Sequence, residues 1–262
     1  MADADALLRA GDLDGARAAL VEAVRRTPAD QAARMFLFQL LCVLGEWDKA
    51  LAQLRTLAQL SAEAQMLAVA YGQAIEAEKS RTQVFAGAAQ PALLVKSSPW
   101  AGDLTGALAA LCQGRVEDAE ALRDQAFDAA PETPGDLDGQ PFDWIADSDS
   151  RFGPAVEAII AGQWGLVPFD AIEQIVSEGP KDLRDIVWYP VQLRFKTGQS
   201  VAALLPARYP GAETETDAAL RLTRGTDWSD QPWGQAGRGQ HEWSLSDGTA
   251  VGLLSLRRLA FT

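Results

Sequence analysis

Cysteine and histidine are nearly missing from this 262-residue chain, which has two of the first, Cys42 and Cys112, and one of the second, His241. Both cysteines sit in apolar helical patterns beside leucine, where a reduced thiol behaves as a small core residue. No CxxC pair exists, so a zinc or redox site built on cysteine has no support. A Ser-His-Asp or Cys-His machine would have to use His241. That residue shares one face of an alternating segment with Trp243 and Leu245, which suits a packed residue better than a base, and His241→Gln is expected to leave the fold intact. No run of about 18 apolar residues occurs, so no membrane-spanning helix is expected. The opening Met1-Ala2-Asp3-Ala4-Asp5 lacks the basic region and apolar stretch of a secretion signal, and a cytoplasmic location is expected. Positive charge is scarce as well: 23 Lys and Arg stand against 36 Asp and Glu, a net of −13. Such a chain repels phosphate backbones, which disfavours nucleic acid as a partner. The glycines of 234–239 precede a strand instead of joining a strand to a helix. They read as a loop or bulge, and no cofactor is expected.

What is present begins with a repeat. Gly11 and Gly45 are 34 residues apart, as are Ala16 and Ala50, and Leu20 and Leu54. A period of 34 is the tetratricopeptide length. Glycine ends the first helix of each pair because it tolerates the left-handed conformation, and the small alanine five residues later lets the second helix come close. Gly114, Ala119 and Pro131 echo Gly11, Ala16 and Pro28 further along. Between these copies Ser61 to Arg81 reads as one long helix. Three basic and twelve acidic residues fall between 91 and 150. They form a solvated helix face plus a linker, or else a surface for a basic partner.

Glu132 to Pro141 is punctuated by Pro134, Gly135, Gly139 and Pro141, which marks a connection. The expected organisation is therefore α+β: a TPR-like helical domain over 1–133, then a small α+β domain with a mainly antiparallel sheet over 140–262. Inside the second domain, Arg151 to Ala161 reads as an amphipathic helix closed by Gly162, and Ala171 to Ser177 as a further helical turn or two. Ile186–Phe195 and Val201–Ala207 read as strands about Thr197-Gly198-Gln199, and Ala219–Thr223 as another. Gln240–Leu245 alternates and turns back at Asp247-Gly248 into Thr249–Leu256.

Polar candidates for chemistry are few. Asp147-x-Asp149-x-Arg151 begins like a calcium loop, but Arg151 occupies a ligand position and the terminal acid is absent. Asp149 or Ser150 could instead cap a helix beginning near Arg151, or Asp147 or Asp149 could pair with Arg184 or Arg208. A hydrolase or transferase reading would gather Asp147, Asp149, Arg184, Asp185 and Arg208 around a concave pocket. If those groups pair with one another instead, that reading loses its basis.

Six blocks in series resemble a known family. They are Asp147-Ser148-Asp149-Ser150-Arg151-Phe152-Gly153-Pro154 followed by Glu157-Ala158-Ile159, Val167-Pro168-Phe169 then Ile172 and Ile175, Asp182-Leu183-Arg184-Asp185-Ile186-Val187-Trp188 with Pro190 behind it, Leu205-Pro206-Ala207-Arg208-Tyr209-Pro210-Gly211, Arg224-Gly225-Thr226-Asp227-Trp228, and Gly237-Arg238-Gly239-Gln240 with Leu256-Arg257 to Phe261. In this order they resemble the ImpE/TagJ/SciE accessory proteins of type VI secretion systems. That family more often carries Glu where Asp227 stands, and often carries Arg where His241 stands. The resemblance implies a non-enzymatic protein that binds a helical segment of the small sheath subunit and modulates sheath disassembly or recycling. It also implies the sheath-recycling ATPase as a further partner. Candidate partner-binding residues are Arg34, Phe38 and Trp47 in the helices, as exposed groove positions. In the second domain they are Trp228, Trp233, Arg208 and Tyr209, in loops that could close over a peptide.

Overall fold

A computed structural model describes residues 2–96 and 99–262. Seven helices come first among the described residues: α1 Ala2–Arg9, α2 Leu13–Arg26, α3 Gln31–Val43, α4 Trp47–Leu60, α5 Ala62–Phe85, α6 Pro99–Cys112 and α7 Val116–Ala129. The 34-residue spacing is expressed in three identical helix ends. Gly11, Gly45 and Gly114 have φ of +82°, +68° and +75°. Each donates its N–H to the carbonyl three residues back, and the next residue donates to the carbonyl five back, as in Asp12 N–H to Leu7, Glu46 N–H to Leu41 and Arg115 N–H to Ala110. This Schellman geometry satisfies the last carbonyls of the helix and reverses the chain. Ala16, Ala50, Leu20 and Leu54 are wholly buried in the helix–helix contacts that follow.

The strands begin at Gly135. They are β1 Gly135–Leu137, β2 Gln140–Phe142, β3 Ile145–Asp147, β4 Ala155–Ile160, β5 Gln163–Pro168, β6 Ile172–Val176, β7 Trp188–Phe195, β8 Ser200–Pro206, β9 Thr226–Gln231, β10 Gly234–Gly239, β11 Glu242–Leu245, β12 Ala250–Gly252 and β13 Arg258–Phe261, with the short helix α8 Ala218–Arg221 between β8 and β9. Eight form one sheet in the order β2-β1-β13-β6-β7-β8-β4-β5, with β12-β11-β3 and β9-β10 beside it, and every strand pair is antiparallel. Ala92 and Leu94 exchange backbone bonds with Leu166 on β5, which covers an edge that would otherwise invite pairing.

The large sheet is buried on both faces. Val156, Ala158, Tyr189, Val191 and Leu193 join a core built mainly from the strands and the turns between them. Ala155, Ile159, Trp164 and Trp188 point the other way, into one continuous core with α2 to α6. The helical and sheet halves thus share a core.

Burial on both faces explains where the sequence reading fails. Residues 155–160 lack polar alternation, so their apolar spacing mimics a helix; they form β4, and Ala161 and Gly162, at φ +50° and +79°, make the two-residue turn into β5. Ala171–Ser177 also carries a strand, not helical turns. A register shift between Ile172 and Gln174 turns both Ile172 and Ile175 inward, and that bulge produced the helix-like three-residue spacing. Residues 218–221 are helical, not extended, with the Asp217 carboxylate accepting from the Ala219 N–H. The glycine-rich 234–239 is a strand rather than a loop, and of the expected strand 249–256 only Ala250–Gly252 pairs.

Candidate functional site

The densest polar cluster lies where α5 meets the sheet. Glu157 on β4 falls on the same face as Ala155 and Ile159 by the two-residue period of a strand, and so faces the helices. Arg81 of α5 grips it with two bonds of 2.7 Å, Nε to Oε1 and Nη2 to Oε2. Trp164 Nε1 donates to Oε1 at 2.8 Å. His241 bridges onward, with Nε2 at 2.9 Å from Glu157 Oε2 and Nδ1 at 2.7 Å from Asp147 Oδ2. Asp147 also accepts from Tyr209 Oη and from the Asp149 N–H, each at 2.9 Å. Asp149 in turn holds Arg151 and the Gly237 N–H, the latter at 2.7 Å. Arg81, Glu157, Asp147, Asp149 and His241 are all at most 5% exposed, so this chain of charges lies in the interior.

The flanking carboxylates favour a charged imidazole, although burial also raises Asp147 itself. Both ring nitrogens of His241 face carboxylates, and only the imidazolium can donate to both. Burial opposes the charge, yet Asp147 and Glu157 overcome it and push the imidazole up to about 9. Burial likewise opposes an ionised Glu157, but Arg81 and His241 hold it down at about 2. The position thus favours a cation. His241 is packed, as its sequence context suggested, and the glutamine variant, expected to keep the fold, would leave two buried carboxylates short of charge and so cost stability.

Two further arginines tie the sheet half to helix ends. Arg208, 4% exposed, donates to the carbonyls of Val43 at 2.7 Å, Cys42 at 3.4 Å and Arg221 at 3.2 Å. Arg224 donates to Leu8 and Arg9, both at 3.1 Å. The carbonyls of Leu8, Arg9, Cys42 and Val43 lie at the C-termini of α1 and α3, where the helix dipole is negative, and the arginines add charge-assisted bonds beside those that Leu8 and Cys42 accept from the turn glycines. The turn glycines meet the same segment. A Cβ on Gly11 would come within 3.2 Å of Ala218 Cβ, and one on Gly45 within 2.6 Å of Glu213 Cγ.

The candidate residues read from sequence scatter. Phe38 is fully buried against Tyr71, not an exposed groove residue. Arg208 and Tyr209 are buried too, not parts of a loop open to a peptide. Arg34 is half-buried and bonded to Pro28 and Gln53. Trp47 packs on Trp188 at 5.7 Å. Trp228 lies on β9, not in a loop, and rests on Tyr209 at 5.8 Å. Trp233 lies in the turn into β10, beneath the Arg151 guanidinium at 5.5 Å. The Asp/Arg set does not converge. Arg184 pairs with Asp182 and covers Tyr71, Asp185 accepts from the Lys181 and Asp182 N–H groups, and neither Asp147 nor Asp149 meets Arg184 or Arg208. No helix starts at Arg151. Asp149 instead accepts the Arg151 N–H at 2.9 Å in a tight turn. Among the described residues no group of three or more His, Cys, Asp or Glu is placed to hold a metal ion, and no helix is long and apolar enough to cross a membrane. Sequence reasoning placed Glu157 only within a motif block and missed its pairing with Arg81. A lone acid inside the apolar run Ala155–Ile160 was the available signal.

Comparison with known proteins decides the family. The ImpE protein family model matches residues 139–260, and a tetratricopeptide repeat model matches 7–79. The type VI secretion system accessory component TagJ of Pseudomonas aeruginosa is 42% identical over 260 residues, covering 98% of this chain and 90% of that protein. The chain belongs to the ImpE/TagJ family. A crystal structure of a Vibrio parahaemolyticus protein has the same fold, with a TM-score of 0.86 at 24% identity over 99% of this chain and 97% of that one. Within this family member, the blocks that carry the resemblance include Asp147, Asp149, Arg208, Tyr209 and Arg224. These are the residues that build the buried network and the helix-end contacts.

Proposed function

We propose that this chain is a non-enzymatic accessory component of a type VI secretion system, working in the cytoplasm by binding a helical segment of the small sheath subunit. Through that contact it modulates sheath disassembly or recycling, with the sheath-recycling ATPase as a further partner. The observation that carries the reading is the 42% identity to a type VI accessory component along 98% of the chain. The geometry supports the non-enzymatic part. Asp147, Asp149, Glu157, His241 and Arg208 are tied to one another or to backbone carbonyls in the interior, and so are not aimed at open space as a catalytic set must be.

The test is calorimetric titration of the full chain with the purified small sheath subunit encoded at the same locus. Saturable binding that disappears when the subunit's helical segment is deleted is the expected result. Absence of heat and of co-elution on a sizing column would overturn the reading.

A further inference from the structure

A repeat array needs a polar outer side at each end, because an end helix has no neighbour to cover it. Helices α1 with α2 and α3 with α4 form two complete pairs, and α5 opens a third. The second helix of that third pair does not follow. After Phe85 the chain leaves as a strap that bonds to Leu166 on β5. The sheet half covers α5 towards its C-terminus, where Glu78 and Arg81 are buried against Trp188 and Glu157.

The N-terminal half of α5 is covered on one side only. Leu67, Ala68 and Tyr71 turn inward against the core. Ala62, Met66, Val69, Ala70 and Gln73 are exposed, Met66 by 80% and Val69 by 64%. Spacings of three and four residues place these five on one stripe. Between Glu63 and Glu76 the helix carries no charged residue at all. Its outer side is thus as free of charge as its inner side, and a helix apolar all round is one that is covered all round. This end of the array has no polar cap.

Charge identifies what covers it. The chain carries −13, so a basic partner is drawn to its acidic surfaces and not to a stretch without charge. Two copies of the chain repel each other over most of their surface, and can approach where charge is missing. A two-fold contact needs a patch that matches itself, and an uncharged stripe does. We propose that α5 packs antiparallel on α5 of a second copy about a two-fold axis, so that one contact closes both open arrays. Met66 of one copy lies opposite Val69 of the other, and Ala62 opposite Gln73, with Ala70 small enough to let the backbones approach. The stripe is about 17 Å long at 1.5 Å per residue. One helix wide, it makes a smaller contact than the ~800 Å² per partner of a long-lived complex, so the pair forms reversibly.

Sedimentation velocity of the full chain tests this. The expected result is a dimer with a dissociation constant of about 10–100 µM. Raising salt from about 0.05 to 0.5 M should tighten it by about threefold, since salt screens the repulsion between two acidic copies. Met66→Glu and Val69→Glu should each weaken it by about tenfold or more, because each sets a charge in the middle of an apolar contact. Both sites are exposed on a helix, so the fold is kept, and circular dichroism verifies it. Val21→Glu, at a position 49% exposed on α2, removes apolar surface elsewhere and should leave the dimer unchanged. A parent chain still monomeric at about 300 µM, well above that dissociation constant, overturns the proposal. So does a dimer that neither α5 variant weakens, or one that salt loosens. A monomeric parent whose binding to the small sheath subunit is lost in Met66→Glu would give the stripe to that partner, and equally overturns it.

Discussion

In the helical half, contacts are apolar and local. Small alanines and leucines 34 residues apart let neighbouring helices touch, and charged side chains form surface pairs, most of them three or four residues apart, such as Arg26 with Glu22, worth little individually. At the seam with the sheet the balance is inverted. Arg81, Glu157, His241, Asp147 and Asp149 are buried charges held across 60 to 100 and more residues of sequence, Arg81 and Glu157 being 76 apart and His241 and Asp147 94 apart. The first arrangement gives stability that is tolerant of change. The second gives a single docking geometry, because a buried charge has one place where its partners are, and any other position costs several kcal/mol.

The largest test of this contrast is to cut it. We propose that 1–133 and 140–262 are two architectural units but one folding unit. The intact chain should unfold in one transition, and neither fragment alone should show a cooperative transition in differential scanning calorimetry. A fragment 1–133 that melts as sharply as the parent would refute the shared-core argument. Next comes Arg81→Met, which strands Glu157 and should lower stability by ~3–5 kcal/mol in urea unfolding.

His241 sharpens the comparison through pH. Its folded-state value of about 9 lies above its ordinary 6.5, so its stabilisation is complete below about pH 6.5 and is lost as pH rises through 9. Glu157, held at about 2, contributes above its ordinary range near 4.5 and loses that contribution as pH falls through 2. Stability of the parent chain should therefore decline at both ends. His241→Gln should abolish the alkaline decline and be less stable throughout, by ~1–3 kcal/mol at pH 7. His241→Arg should abolish the decline while retaining more of the stability. Equal alkaline slopes in the parent and in His241→Gln would count against an imidazolium at this position.

Smaller effects are expected at the helix ends. Gly45→Val faces a positive φ and the Glu213 side chain, and should cost ~1 kcal/mol or more. Arg224→Met removes a partly solvated contact to the α1 terminus and should cost only ~0.3–1 kcal/mol. If thermal unfolding of Gly45→Val matches the parent, the turn geometry has no hold on the array.

How much of this was legible in the sequence follows the same division. The glycines at 11, 45 and 114 announced their turns because the φ they adopt is intrinsic to glycine. The hairpin at 197–199 and the alternation at 241–245 were legible because turn chemistry and a two-residue period are local. Strand β4 was not, since a strand buried on both faces loses its polar alternation, and β6 was not, since a bulge gave it a helical spacing. The charged cluster was hidden for a different reason. Nothing near Arg81 in sequence indicates that its partner is Glu157, and Arg208 and Tyr209 looked like loop residues because Pro206, Pro210 and Gly211 surround them. The motif blocks marked these positions without revealing that their bonds are internal.

The arginine contacts at the ends of α1 and α3 bear on how such a protein changes over time. Repeat arrays ordinarily gain and lose units with little penalty, since each unit touches only its neighbours. Here Arg224 and Arg208 engage two helix ends one unit apart, and the turn glycines at those ends touch Ala218 and Glu213. The C-terminal domain thus acts as a gauge of fixed span. A duplicated unit between α1 and α3 would carry one helix end out of reach of its arginine, so the length of the array is set by the domain that follows it.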